Sequence, residues 1–173
     1  MKFLSLLITF IFIIFLNNVN AEQKIVFFDM DRIVSTSTPG SSLLKQLKDI
    51  SDKNLILLNK KEKSFKEKET KLISQKNIIT ESEFINKVDL LKKEINEQNK
   101  NRIKLIDDFN KLKIKNINKF LKSINIILAK YSNDNAISLI LQKKNLVIGV
   151  TELDITDDIL KIVNNDIKEF KIK

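Results

Sequence analysis

The long stretch without helix-breaking residues constrains the fold of this chain more than any other feature. The only proline is Pro39, and the only glycines are Gly40 and Gly149. Residues 41–148 therefore lack both residue types that most often end a helix, and a long helical segment is the expected structure. One uninterrupted helix of this length is far too long for an ordinary globular domain. The segment must therefore fold back on itself.

A polar stretch at residues 74–83 divides this segment into two arms. Thr80 and Glu83 have the Thr-x-x-Glu spacing of a capping box, so a second helix can begin there. We therefore predict an antiparallel helical hairpin over residues 41–131 with its tip near Asn77. Two arms of roughly 40 to 50 residues would project on the order of 60 to 75 Å.

Residues at spacings of three and four run along both arms and predict the seam of a two-helix coiled coil. This seam becomes more polar toward the tip. On the first arm its predicted positions are Leu44, Leu47, Ser51, Leu55, Leu58, Glu62, Phe65, Glu69 and Leu72. On the return arm they are Phe84, Val88, Leu91, Ile95 and, after a polar break, Ile103, Ile106, Asn110, Ile114, Ile117, Leu121, Ile124, Leu128 and Tyr131.

The segment before the hairpin predicts a strand and a helix start. Residues 24–30 are short, β-branched and aromatic, which is typical of a buried strand. Thr38 is the predicted N-cap of the first arm, and Pro39 would take the first helical position, where its missing N–H costs nothing.

The segment after the hairpin predicts two more strands and a short helix. Residues 136–141 and 146–150 are apolar and flank a polar turn, so we expect them to form a strand hairpin. Thr156 is the predicted N-cap of the last helix, and Asp157 and Asp158 would oppose its dipole from the first turn.

The resulting fold class is α+β, with a long antiparallel helical hairpin projecting from a small β-rich oligomerisation head. The head comprises residues 22–40 and 132–173, and the arm comprises residues 41–131. Three short strands bury too little apolar surface to support two long arms. We therefore expect identical heads from other chains to complete the head.

Charge and composition exclude several classes of function. The chain has 31 basic and 22 acidic residues and no cysteine or histidine. Disulfides, thiol chemistry, the usual zinc sites and histidine acid–base catalysis are therefore excluded. The basic charge belongs to the arms, since residues 45–130 carry 22 basic and 12 acidic side chains. Interleaved glutamates and an export signal argue for a solvated charged face and against nucleic acid as the ligand.

The amino terminus has the layout of a secretory signal peptide. After Lys2, an uncharged run extends from Phe3 to Leu16, and small residues follow at Val19 and Ala21. The run is short for the roughly 20 residues that span a bilayer. We therefore predict a signal peptide over residues 1–21, cleaved after Ala21, in preference to a retained anchor. Export without cysteines indicates a bacterial periplasm.

Asp29 and Asp31 imitate the first motif of haloacid-dehalogenase-type phosphatases, in which the first aspartate is the nucleophile. That family continues with Gly-Thr, whereas Arg32 and Ile33 stand here, and no alternating strands and helices follow. We therefore predict that Asp29 ends the strand or caps a helix. The chain is expected not to be an enzyme, with no catalytic residue, metal site or cofactor.

Two motifs at the ends of the mature chain resemble the signatures of the Skp/OmpH family of periplasmic chaperones. Residues 24–33 read Lys-Ile-Val-Phe-Phe-Asp-Met-Asp-Arg-Ile, and residues 153–161 read Leu-Asp-Ile-Thr-Asp-Asp-Ile-Leu-Lys. Phe28 stands where that family usually has valine. The tail from Asn164 to Lys173 is longer than the signature requires, so its role stays open. The resemblance implies a homotrimer in which the heads join at a hub and three basic arms enclose a cavity.

The function that this resemblance implies is an ATP-independent periplasmic holdase. It would bind unfolded outer-membrane proteins between its arms and prevent their aggregation before membrane insertion. The alternative is a structural coiled-coil spacer or scaffold of the cell envelope. Contact with anionic lipid or lipopolysaccharide stays open. The candidate client-binding residues lie in the tip half of the first arm: Lys60, Lys61, Lys63, Phe65, Lys66, Lys68, Lys71 and Leu72.

Overall fold

The computed structural model describes residues 23–172, and the predicted signal peptide lies outside them. The elements in chain order are β1 (Lys24–Phe28), α1 (Met30–Thr36), α2 (Thr38–Ser74), α3 (Glu81–Asp134), β2 (Ile137–Gln142) and α4 (Thr156–Asp166). Short 3₁₀ turns at Lys143–Asn145 and Thr151–Leu153 connect β2 to α4. The predicted α+β fold, with long helices and a small sheet, is confirmed.

The two long helices form the predicted hairpin. Helix α2 has 37 residues and α3 has 54, so they extend about 55 and 80 Å. The tip lies between Ser74 and Glu81, close to the predicted position. Thr80 caps α3, since its hydroxyl accepts a hydrogen bond from the Glu83 N–H at 3.3 Å. Glu83 in turn accepts from the Thr80 N–H at 3.2 Å, which completes the predicted capping box.

A short helix that the sequence analysis missed, α1, separates β1 from the hairpin. Asp29 caps it by accepting a hydrogen bond from the Arg32 N–H at 2.9 Å, so the prediction of a capping role for Asp29 is confirmed. Ser37 ends α1 in an extended conformation and caps α2 through its hydroxyl, which accepts from the Gly40 N–H at 3.1 Å. The prediction of Thr38 as this cap is wrong, because the chain is already helical at Thr38.

The sheet has two parallel strands in the described part of the chain, and the predicted third strand is wrong. Strands β1 and β2 are paired with Val26 opposite Ile140. On the other edge of β1, Phe27 forms a β-bridge with Asp154. The Phe27 carbonyl there accepts a hydrogen bond from the Ile155 N–H at 2.9 Å. The other edge of β1 is therefore occupied, and residues 146–150 do not pair with β2 as the predicted hairpin required. They pass over Phe27 at Gly149, where an added Cβ would lie 2.6 Å from the ring.

The beginning of α4 also differs from the prediction. Ile155 occupies the N-cap position and Thr156 is the first helical residue. The Thr156 hydroxyl is engaged elsewhere: it accepts a hydrogen bond from the Asp29 N–H at 2.9 Å and donates to the Asp154 carboxylate. Asp157 and Asp158 lie in the first turn, as predicted.

The core lies where the sheet, α1 and α4 meet the roots of the two arms. It is one cluster whose members include Val26, Ile33, Leu43, Phe120, Ile124, Ile159 and Val163. Among the described residues, none between Leu47 and Asn116 is buried. Most of the hairpin therefore extends away from the core without tertiary support other than its own seam.

The predicted seam is correct near the tip and at the root of the return arm, and it is wrong between them. Phe84 to Ile95 and Ile117 to Tyr131 contribute the predicted inward side chains, but Ile103, Ile106 and Ile114 are exposed. The inward positions of the middle section are Gln98, Leu105, Phe109, Leu112 and Asn116. The heptad phase of α3 continues straight through the polar break because the backbone sets it. The predicted restart at Ile103 was therefore out of phase.

The first arm has a similar error of one residue at its root. Leu43 is buried there, whereas the predicted Leu44 is exposed, and Leu55 is exposed as well. Leu47, Leu58, Phe65 and Leu72 do face the return arm. The polar predicted positions Ser51, Glu62 and Glu69, like Asn110 on α3, are exposed.

Gly40 permits the close contact between α1 and α2. An added Cβ would lie 2.2 Å from the Val34 carbonyl oxygen and 2.7 Å from the Ser37 Oγ. Because backbone atoms cannot move aside cheaply, we predict that Gly40→Ala lowers the free energy of unfolding by about 1–3 kcal/mol. Urea denaturation followed by circular dichroism measures this. The exposed neighbour provides a control, since Ser41→Ala should change stability by about 0.5 kcal/mol at most. Equal stability of the two variants would contradict the prediction.

The capping box at the tip predicts a pH dependence. Hydrogen bonds from the Thr80 N–H and hydroxyl lower the pKa of Glu83 from its ordinary value of 4.5. Because the pKa of Glu83 is lower in the folded state, the ionised carboxylate stabilises the fold at pH values above the ordinary pKa. This contribution is lost as the pH falls through the folded-state pKa. We therefore predict that first-turn amides of α3 are better protected from hydrogen exchange at pH 6 than below pH 4.5.

NMR hydrogen exchange tests the same cap by mutation. Thr80→Ala should lower these protection factors about fivefold at pH 6, the equivalent of ~1 kcal/mol for a lost N-cap. Ser82→Ala, an exposed change in the same turn, is the control. Unchanged protection in Thr80→Ala would mean that the cap does not stabilise the tip.

Candidate functional site

The candidate site is the surface of the arms beyond the core. Its apolar side chains do not all face the seam, because the heptad phase leaves several of them outside. The exposed large apolar residues of this region are Leu55, Ile56, Leu57, Ile73, Ile78, Ile85, Leu90, Ile103, Ile106 and Ile114. Exposed apolar residues scattered singly are normal, whereas large contiguous apolar patches mark binding surfaces. Leu55, Ile56 and Leu57 are consecutive in α2 and therefore spread apolar surface around the helix.

Two of the six predicted client-binding lysines form ion pairs, and one of these pairs joins the two arms. Lys68 pairs with Glu94 across the two arms, and its ammonium lies 5.5 Å from the centroid of the Phe65 ring. Lys66 pairs with Glu62 at 2.9 Å within α2. The hydrogen bond in this second pair raises the pKa of Lys66 and lowers the pKa of Glu62. Both pairs are exposed to solvent, so each is expected to contribute little to stability.

The other four lysines, Lys60, Lys61, Lys63 and Lys71, are exposed, and none forms an ion pair within residues 23–172. They are therefore the members of the predicted set whose charges are available to another molecule. Lys61 lies at the gap between the arms, whereas Lys63 and Lys71 line a shallow depression on α2. The structure thus distributes the predicted lysines around the helix and does not gather them into one pocket.

Phe65 and Leu72 are half-buried in the seam between the arms. Their rings and methyl groups therefore hold the hairpin together as well as reaching its surface. Their role in client binding stays a prediction.

A narrow cleft between the arms combines apolar and basic side chains. Leu58, Phe65 and Ile95 line it together with Lys61 and Arg102, and it holds about 270 Å³. Drug-sized ligands usually occupy clefts of about 300–1,000 Å³. The cleft is therefore suited to one side chain of a larger molecule. Arg102 was not among the predicted site residues, and no motif around it marks it in the sequence.

The described residues contain no group of three or more carboxylate, histidine or cysteine side chains placed to hold a metal ion. Asp29, the candidate phosphatase nucleophile, directs its carboxylate to the Arg32 N–H as a helix cap. Within residues 23–172, no helix is both long enough and apolar enough to cross a bilayer.

Comparisons with known proteins agree with the fold and the motifs. The model of the OmpH family, described as outer membrane protein (OmpH-like), matches residues 24–163. No curated protein matches the sequence. Among solved structures, the chain is similar to a candidate outer membrane chaperone (OmpH-like) from Caulobacter crescentus CB15. The two share 17% identity, with a TM-score of 0.78 over 86% of this chain and 88% of the other.

The family match extends from the first strand to the last helix. It therefore includes both end motifs and the whole hairpin between them. The resemblance drawn from residues 24–33 and 153–161 is confirmed, and this chain belongs to the OmpH-like family.

Proposed function

We propose that the chain is an ATP-independent holdase of the periplasm, which keeps unfolded outer-membrane proteins from aggregating before membrane insertion. The observation that carries this proposal is the pair of arms. They extend beyond the core without burying any residue between Leu47 and Asn116, and they expose apolar and cationic side chains together. The family assignment and the chaperone description of the Caulobacter crescentus protein support it.

The proposed mechanism relies on many weak contacts. Exposed isoleucines and leucines of the arms, with Phe65 and Leu72, contact apolar side chains of the client, and the free lysines attract it from a distance. Weak contacts repeated along two arms hold a flexible chain far more tightly than any one of them. Strands of outer-membrane barrels alternate apolar and polar residues, which suits a surface of this mixed character. The mechanism uses no catalytic residue, cofactor or nucleic acid.

We further propose that the head, residues 22–40 and 132–173, assembles into a homotrimer after signal-peptide cleavage behind Ala21. An isolated pair of strands is marginally stable in water. Beside it, Val147 and Ile148 are 99% and 87% exposed in the protomer. We expect another copy of the head to cover these two apolar side chains, because they are exposed beside a sheet of only two strands.

The assembly predicts a specific effect of charge at this surface. Val147→Glu with Ile148→Glu should convert the trimer to monomers, because a carboxylate cannot be buried without a partner. Sedimentation equilibrium measures the mass. Ile73→Glu with Ile78→Glu, the same number of added charges at exposed positions near the tip, is the control and should leave the trimer intact. A trimer in both variants, or a monomer in the unmodified protein, would contradict the assignment.

The charge of the four unpaired lysines is expected to affect the rate of client capture. Changing Lys60, Lys61, Lys63 and Lys71 to glutamate reverses the local charge and should slow capture of a labelled unfolded outer-membrane protein. The effect should be largest at low salt, since the Debye length is about 30 Å at 0.01 M and about 8 Å at physiological ionic strength. Stopped-flow fluorescence at both salt concentrations measures it.

A matched variant separates local from overall charge. Changing Lys113, Lys115, Lys122 and Lys130 to glutamate makes the same change in net charge near the root of α3. It should slow capture less than the tip-half variant does. Equal rates in all three proteins would reduce the lysines to solubilising groups. Failure of the unmodified protein to suppress aggregation would favour the spacer function instead.

A further inference from the structure

The carboxyl-terminal tail, residues 167–172, lies across the root of the two arms. It leaves α4 in an extended conformation at Ile167 and ends against the core. Phe170 is only 7% exposed, and its ring meets the Phe120 ring edge-on at 5.8 Å between centroids. The Lys119 ammonium lies 5.4 Å from the centroid of the same ring. One aromatic side chain thus anchors the tail in an apolar groove with a cationic rim.

The side chain of Gln46 on α2 forms hydrogen bonds to the tail backbone on either side of Lys171. Its side-chain amide donates to the Phe170 carbonyl at 2.6 Å and accepts from the Ile172 N–H at 3.1 Å. These two bonds reproduce what a neighbouring strand would offer to an extended chain. They do not depend on the identity of the side chains. The groove therefore recognises an extended backbone, and its apolar part selects an aromatic residue followed two positions later by an aliphatic one.

We propose that this groove is a binding site for an extended aromatic-x-aliphatic segment of an unfolded client, and that the tail is its resident competitor. The proposal rests on the proposed holdase function for the identity of the ligand. The alternation that the tail presents, Phe170 and Ile172, is the pattern of barrel strands. A short extended tail is the kind of segment that opens locally without unfolding the core. A tail tethered beside its groove keeps weak ligands out and yields to tight or multivalent ones.

Peptide binding to the full chain tests the groove without any client. The probe is a fluorescent peptide with the tail sequence of residues 167–173, Ile-Lys-Glu-Phe-Lys-Ile-Lys. A full-length variant with Phe170→Ala and Ile172→Ala should bind it about tenfold more tightly than the unmodified protein does, because the tethered tail competes at millimolar effective concentration. Fluorescence anisotropy measures both affinities. Equal affinities, or no binding to the variant, would overturn the proposal.

Two controls separate the groove from general charge attraction. A peptide in which the phenylalanine and the following lysine are exchanged has the same composition but lacks the alternation, and should bind about tenfold more weakly. Adding Gln46→Ala to the tail variant removes two hydrogen bonds and should weaken binding of the original peptide about tenfold. Lys45→Ala, an exposed neighbour, should have no effect. Insensitivity to both the peptide order and Gln46 would refute recognition by this groove.

Hydrogen exchange of the unmodified protein tests the opening of the tail without using a variant that could misfold. The Ile172 amide should exchange well before the α3 amides around Phe120, because it is freed by local opening. Exchange of both only on global unfolding would make the tail a fixed part of the core and overturn the proposal.

Displacement then tests the ligand class. An unfolded outer-membrane protein should displace the bound peptide from the tail variant, and failure to do so refutes the client role of the groove. Failure of the unmodified protein to suppress aggregation instead refutes the holdase function, and it leaves the peptide measurements unaffected.

Discussion

The link between the two ends of the chain is the interaction on which the rest of the structure depends. The Thr156 hydroxyl accepts from the Asp29 N–H, the Ile155 N–H donates to the Phe27 carbonyl, and Arg32 pairs with Asp157 at 2.7 Å. The ion pair is exposed and weak on its own. The two backbone-directed bonds are worth more, because Thr156 and Phe27 are buried and would otherwise leave polar groups without partners. The two family motifs are thus the two halves of one contact.

This contact explains how so small a body can carry such long arms. It holds β1 against the start of α4, and the same corner receives Leu43 and Phe120 from the arm roots. Both helices are therefore anchored at one end and free at the other. The arms are stabilised by a seam of half-buried side chains, and the exposed ion pair of Lys68 with Glu94 adds little. Such a seam opens and bends more easily than a core, which would suit the proposed holdase.

The root of the arms is also where the tail lies. Phe120 packs in the core that anchors α3 and also against Phe170 of the tail, and Gln46 of α2 bonds to the tail backbone. Occupancy of the proposed groove would therefore act on residues at the roots of both arms. A client that enters the groove would act on the same residues that hold the hairpin.

Local chemistry along the chain determined much of this protein. The absence of glycine and proline between Gly40 and Gly149 determined the helices, and the Thr80–Glu83 spacing determined the tip, because both act over a few residues of backbone. The end motifs determined the family. Packing decided which of the competing apolar stripes of α3 faces inward: the helix keeps the phase of Phe84 to Ile95, so Ile103 and Ile106 lie outside.

Strand pairing at the edge of the sheet and the position of the tail likewise depend on tertiary contacts. Residues 146–150 have the composition of a strand, but they follow a 3₁₀ turn and pass over the Phe27 ring instead of pairing with β2. The position of the tail depends on Gln46, which lies 124 positions before Phe170 in the sequence. A pattern read along the chain reports what a segment can form, whereas the choice among partners depends on which groups the fold has left unpaired.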